Sequence, residues 1–186
     1  INRTSSYYGQ RSPGGGSSVH IREGIITMRK SDKKNAVQRG NFDPHTVFSK
    51  ILAEELPAEF LYKDNLVTAF MDIQPITRGH ALVIPNIPAT GLSDLPPETG
   101  AQMFKIGQKI ADAIKASDIP CEGINLFLAD GVAAGQTVFH VHLHVFPRFE
   151  NDGFGWKLPD RYFTPPPQEE LRATKEVIVA KMSLKA

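Results

Sequence analysis

At 186 residues, 41% hydrophobic and 22% charged, the chain fits one compact domain with a tail, and a wholly disordered protein is excluded. Its one cysteine, Cys121, allows no internal disulfide framework and no Cys-x-x-Cys zinc or redox site. The formal charge of +1 hides an asymmetry: residues 1–40 carry eight Lys and Arg against two acids, so they stand at +6 and the remainder at −5.

Residues 1–41 read as a basic, disordered extension, because Ser12-Pro13-Gly14-Gly15-Gly16-Ser17-Ser18 has nothing to bury. A basic tail can meet nucleic acid or an acidic membrane surface, but neither is the expected partner. Its Arg- and Ser-rich, acid-poor composition also suits an organelle transit peptide. Against that, Val19, Ile21, Ile25 and Ile26 are interrupted by Gly24 and build no amphipathic helix. No run approaches the ~18 apolar residues of a membrane span, and no apolar h-region opens the chain. A soluble, cytoplasmic protein is the expectation.

The domain is placed at residues 42–150, with a C-terminal extension at 151–186. Val47, Phe48, Ile51 and Leu52 fall at helical spacing, and Pro57 stops the helix. Residues 59–63 and 66–72 are β-prone runs parted by the turn signal Asp64-Asn65. Residues 75–79 read as a loop, and 80–85 as a third strand ended by Pro85. Pro96-Pro97 opens a helix to about Ser117, whose Met103, Ile106, Ile110 and Ile114 form one stripe. Residues 124–128 and 137–146 are the fourth and fifth strands, and a last helix runs from about Gln168 to Met182. Strands meeting strands, with a helix between, give an α+β fold with a five-stranded, mainly antiparallel sheet.

One segment carries the chemistry: Gly135-Gln136-Thr137-Val138-Phe139-His140-Val141-His142-Leu143-His144-Val145-Phe146-Pro147-Arg148. On a strand, His140, His142 and His144 share one face, while Phe139, Val141, Leu143 and Val145 take the other, toward the core. Three readings of the imidazoles stand at this point. They can be a solvated strand face, a zinc or copper site completed by His80, or a neutral nucleophile beside an acid.

The segment resembles the signature of the histidine triad (HIT) nucleotide hydrolases and transferases. Phe70-Met71-Asp72-Ile73-Gln74-Pro75, with Gly79-His80-Ala81-Leu82-Val83-Ile84-Pro85, is similar to that family's nucleoside-binding half, and Val47-Phe48-Ser49-Lys50-Ile51 to its opening helix. The resemblance runs from about Thr46 to Arg148. It implies that His142 attacks the α-phosphorus of a nucleoside phosphate derivative, forming a nucleotidyl-histidine that water hydrolyses. His142 would be held in one tautomer by the carbonyl of His140, and His144 would be the proton donor. His80 and His140 would support the array from behind. Asp72 would accept from the ribose hydroxyls, and Val47, Phe48, Ile73 and Leu82 would wall the base. Gly135, Gln136 and Thr137 would hold phosphate oxygens. No metal or cofactor is required.

The structural zinc of some relatives is expected to be lost, since Thr46, Ser49 and Pro88 stand at its ligand positions. Ala129 replaces an amide found in many members. The substrate is expected to be a purine nucleotide, an adenosine derivative, in a homodimer with the long helix as candidate interface. Features of two branches mix: Gly79-His80 looks like the phosphoramidate hydrolases (Hint-like). Asp130-Gly131 and Pro147-Arg148 look like the dinucleoside polyphosphate hydrolases (Fhit-like), with Arg148 meeting distal phosphates or pairing with Glu150. A purine-nucleotide-binding regulatory protein with little turnover is the alternative.

Overall fold

The computed structural model describes residues 19–22, 25–28 and 46–182. The chain divides into two units, Ile1–Phe154 and Gly155–Ala186. In the first, Val19–Arg22 (β1) and Ile25–Met28 (β2), both rich in β-branched residues, pair antiparallel with Val19 opposite Met28. These eight residues are therefore not the structureless extension expected for 1–41, and the rest of that expectation lies outside the described residues.

Next comes Val47–Leu52 (α1), which spans the four apolar residues at helical spacing and ends before Pro57. Thr46 caps it, its hydroxyl accepting from the Ser49 backbone N–H at 3.1 Å. A five-stranded antiparallel sheet follows, built from Phe60–Lys63 (β3), Val67–Met71 (β4), Ala81–Pro85 (β5), Gly123–Leu128 (β6) and Leu143–Arg148 (β7). Its order is β3-β4-β5-β7-β6. The β3–β4 turn is fixed by Asp64, whose Oδ1 accepts from the backbone N–H of Leu66 at 2.7 Å and Val67 at 2.8 Å.

Pro97–Lys115 (α2) opens with proline at its first position, where the missing N–H costs nothing. Met103, Ile106 and Ile114 are buried against Val67, Ala69, Val83, Leu143 and Val145 of the same chain's sheet. The apolar stripe thus packs within the subunit, burying roughly 1.5–3 kcal/mol of transfer free energy per large side chain. The opposite sheet face holds a second cluster, Phe48, Ile51, Phe70, Leu82 and Ile84. Leu82 lies opposite His144 in the β5–β7 register, so the histidine belongs to this face.

The fifth strand begins six residues later than the sequence predicted, at Leu143 rather than 137. Its partners explain the delay: β6 ends at Leu128 opposite Leu143, and the β5 ladder reaches only Val83 opposite Leu143. Residues before 143 have no ladder to join, and the Val141 N–H donates to the Ala89 carbonyl instead, at 2.7 Å. Phe139 accordingly stays outside the core cluster that takes Val141, Leu143 and Val145.

Gly79, between β4 and β5, has φ of +98°, and a Cβ there would lie 3.2 Å from Ile119 Cγ2 and 3.4 Å from Pro147 Cγ. Gly79→Ala therefore combines backbone strain with crowding, and a loss of about 1–3 kcal/mol is expected in denaturant melts.

Within the second unit, Gln168–Met182 (α3) is a helix with no buried residue. Among the described residues, no helix is long and apolar enough to cross a membrane.

Candidate active site

Four imidazoles gather on the sheet face away from α2. His80, from the start of β5, is 1% exposed; His140 and His142, on the bend before β7, are 1% and 4% exposed. His144, on β7, is half-buried. The ring centroids of His142 and His144 are 4.8 Å apart, and those of His80 and His144 are 5.1 Å apart. Phe48 of α1 sets its ring edge-on to His142, with centroids at 5.1 Å, and to His140 at 6.1 Å. The alternate spacing in the sequence brings the three together, although only His144 sits on regular strand.

Hydrogen bonds assign every tautomer that matters. His142 Nδ1 lies 2.7 Å from the His140 carbonyl, so it must carry the hydrogen and donate, which leaves a lone pair on Nε2. His140 Nε2 donates likewise to the Pro85 carbonyl at 2.9 Å. At His80 the direction is set by the backbone: the Ile76 N–H donates into Nδ1 at 3.1 Å. His80 therefore carries its hydrogen on Nε2 and donates it to His144 Nδ1, 2.9 Å away. In turn His144 must carry its own hydrogen on Nε2. One imidazole thus offers a lone pair and its neighbour an N–H, as a nucleophile and a donor would need.

Burial is the leading cause that pushes all four imidazoles below their ordinary pKa, so each is neutral at pH 7. His144 falls to about 3, burial being reinforced by the charges His142 and His80 would carry. A bound phosphate would act in the opposite sense, since an anion beside His144 favours its protonated form.

Asp72, at the end of β4, lies beside this array. Its Oδ1 accepts from the Gln74 N–H at 2.8 Å, which is an ordinary turn contact, while Oδ2 lies 3.5 Å from His80 Nδ1. Asp72, His80 and His144 have ligand atoms within 4.8 Å of one another, which is compact enough for an ion. Both nitrogens of His80 are already engaged by Ile76 and His144, so this grouping has no free imidazole lone pair there.

The remaining expected residues divide. Phe48 and Leu82 are buried in the cluster beneath the imidazoles. Val47 is 38% exposed and Ile73 is 85% exposed, so neither is packed into a wall. Thr137 is exposed, and Gly135 adopts φ of +92°. Gln136 is a correction. Its side chain turns inward, Nε2 donating to the carbonyls of Thr90 at 2.7 Å and Val138 at 3.1 Å, and Oε1 accepting from the Gly131 N–H at 2.7 Å. It shapes the loop before the triad and has no group left for a phosphate.

Arg148 is likewise occupied. It donates to both Asp152 oxygens, at 2.5 and 3.0 Å, to Asn125 Oδ1 at 2.7 Å and to the Phe154 carbonyl at 2.7 Å. Its partner is thus Asp152 rather than Glu150. Hydrogen bonding from Arg148 holds the Asp152 carboxyl well below the usual carboxylate range. Thr46 and Ser49, at the zinc-ligand positions of some relatives, instead join hydroxyl to hydroxyl at 2.8 Å. The His140 carbonyl stands where the resemblance put it, whereas the carbonyl of Pro85 and the amide of Ile76 were missed, because they carry no side-chain signature.

A neutral imidazole with a free lone pair thus stands beside an imidazole N–H on an antiparallel sheet. The profile described as HIT domain matches residues 53–151, more than half of the chain, and the protein belongs to the HIT family. A HIT-like protein of Borreliella burgdorferi is 46% identical over 112 residues, covering 60% of this chain and 81% of that one. The purine nucleoside phosphoramidase of Escherichia coli K12 is 37% identical over 54% of this chain and 84% of its own length. An adenylylsulfatase of Arabidopsis thaliana is 35% identical over 68% and 66%. The crystal structure of a HIT family protein from Bacillus anthracis superimposes with a TM-score of 0.65 at 40% identity, covering 74% of this chain and 96% of that one.

Proposed function

We propose that the protein is a nucleotidyl hydrolase or transferase that cleaves the bond between the α-phosphorus of a purine nucleotide and its leaving group. The observation that carries this reading is the His142 tautomer, with Nδ1 tied to the His140 carbonyl and Nε2 free to attack. In the first step the Nε2–phosphorus bond forms as the bond to the leaving group breaks. The imidazole ring then carries the positive charge, which the His140 carbonyl stabilises through the Nδ1–H. His144 Nε2–H faces the departing group and gives it the proton as the bond to phosphorus breaks, while Nδ1 goes on accepting from His80. In the second step water attacks phosphorus and passes its proton to His144 Nε2, while His142 Nε2 leaves with its bonding pair, so that both imidazoles return to their starting forms.

Asp72 would take the ribose hydroxyls through its acceptor oxygens, and Ile73 and Val47, exposed apolar side chains near it in sequence or on α1, would meet the base. No metal enters these steps, which agrees with the engagement of both His80 nitrogens and with the hydroxyl pair of Thr46 and Ser49. A homodimer belongs to the reading, and sedimentation at micromolar concentration checks it.

Of the two substrate classes, the nucleoside phosphoramidate is favoured. Arg148 is bound to Asp152, Asn125 and Phe154, which removes the basic side chain invoked for distal phosphates of a dinucleoside polyphosphate. The phosphoramidase from Escherichia coli supports the same choice. The test is metal-free hydrolysis of an adenosine phosphoramidate beside diadenosine tri- and tetraphosphate. Faster turnover of the phosphoramidate is expected; preference for a polyphosphate would overturn the substrate assignment. Tight AMP binding without turnover of any would leave a nucleotide-binding regulator.

A further inference from the structure

The loop of residues 75–79 joins β4 to β5 and supplies the Ile76 N–H that sets the His80 tautomer. Its side chains Pro75, Ile76 and Arg78 are exposed, so packing does little to place it, while Thr77 is buried. The Thr77 hydroxyl donates to the Pro147 carbonyl at 2.7 Å, across 70 residues of sequence. That carbonyl is available because the β5–β7 ladder stops at Ala81 opposite Val145, two residues short of it. Thr77 also closes the turn into β5, its own carbonyl accepting from the His80 N–H at 3.1 Å. One side chain thus pins the loop to β7, the strand that bears His144 three residues before Pro147.

We propose that Thr77 is a positioning residue that acts through the Ile76 amide and His80 to hold the hydrogen of His144 on Nε2, facing the leaving group. Two acceptor arrangements compete at His80 Nδ1. With Ile76 N–H in place, Nδ1 accepts and Nε2 donates to His144. If the amide withdraws, Nδ1 can carry the hydrogen toward Asp72 Oδ2, now 3.5 Å away, and His80 Nε2 becomes an acceptor. His144 Nδ1 would then hold the hydrogen, and its Nε2 would face the leaving group as a lone pair. The groups facing His80 are Asp72, His142 and His144, with the Phe146 ring at 5.1 Å. Among the described residues, the Ile76 amide and the Asp72 carboxylate are therefore the competitors at Nδ1.

This inference rests on the proposed role of His144, and the experiment separates the two. Imidazole nitrogen-15 shifts of the full chain report tautomers without any substrate. In the wild type, His80 and His144 are expected as Nε2–H forms. Thr77→Val keeps the shape but removes the donor, and is expected to give mixed tautomers at both residues; Thr77→Ser is expected to retain the wild-type pattern. Kinetically, Thr77→Val is expected to lower kcat about 10- to 100-fold on an alkylamine phosphoramidate, with KM little changed. Adenosine 5′-p-nitrophenyl phosphate, whose leaving group needs no proton, is expected to be spared. Unshifted tautomers in Thr77→Val, or equal losses in the valine and serine variants, would overturn the positioning role. A shifted tautomer in a protein that turns over no nucleotide would uphold it and sink the hydrolase reading.

Discussion

His142→Asn abolishes turnover of every nucleotide substrate, by on the order of 10⁴-fold or more, because the other unpaired imidazole lone pair of the site, on His140 Nδ1, is fully buried and out of reach of phosphorus. His140 Nε2 is directed at the Pro85 carbonyl, His80 is engaged at both nitrogens, and His144 presents a hydrogen. Asn can still donate to the His140 carbonyl, so the bend before β7 keeps its bond and the fold is expected to survive. The matching measurement is rapid quench of the wild type with substrate labelled at the α-phosphorus. Label should stay with the protein at alkaline pH and be released by acid, as a phosphorus–imidazole bond requires, and should be absent from the variant. Label retained in His142→Asn would move the nucleophile elsewhere. Nucleotide binding by the variant, followed by calorimetry, should be little changed, which separates loss of chemistry from loss of the site.

Stability should collapse on mild acidification. Burial holds the pKa of His80, His140, His142 and His144 below the ~6.5 of an unfolded histidine. Between the folded and unfolded values the unfolded chain binds more protons, so stability is complete above about pH 6.5 and falls as pH drops through that value. Each histidine contributes a slope of up to ~1.4 kcal/mol per pH unit, and for His144 the slope continues to about pH 3. A second stage follows at lower pH. The Asp64 carboxyl, although burial raises it, is held at about 2 by the Leu66 and Val67 amides, Gln102 and Tyr62. Its contribution is present above about pH 4 and lost below. Urea midpoints between pH 8 and pH 4.5 should therefore fall steeply from about 6.5 downward. His140→Phe, which removes one titrating group at a site enclosed by Phe48 and the sheet, should flatten that slope. A midpoint independent of pH over this range would show that the imidazoles are more hydrated than their burial implies.

The same chemistry explains how much could be read from the residues. Period-two and period-3.6 patterns depend on a few neighbours in sequence, and they located β3, β4, β5, β6, α2 and α3 to within about two residues. The triad was legible because three imidazoles at alternate positions need no partner to be noticed. The start of β7 was not, since a strand extends only as far as its neighbours do, and Leu128 and Val83 set that limit. Gln136 and Arg148 carry groups that suit phosphate. Only the folded loop and Asp152 reveal that those groups are spent on Thr90, Val138, Gly131, Asn125 and Phe154.

By itself, the amino-acid order determined an α+β chain with one histidine-rich segment, no disulfide framework, and a loop–strand block holding Asp72 and His80 ahead of it. The tertiary structure decided what those imidazoles are able to do. Which ring nitrogen keeps its hydrogen depends on the Ile76 amide and on the carbonyls of His140 and Pro85. The family resemblance pointed to the His140 carbonyl, but every residue carries a carbonyl and nearly every one an amide, so the sequence could not mark the Pro85 carbonyl or the Ile76 amide. Folding selects them by bringing Pro85 within 2.9 Å of His140 Nε2 across 55 residues and by tying Thr77 to Pro147 across 70.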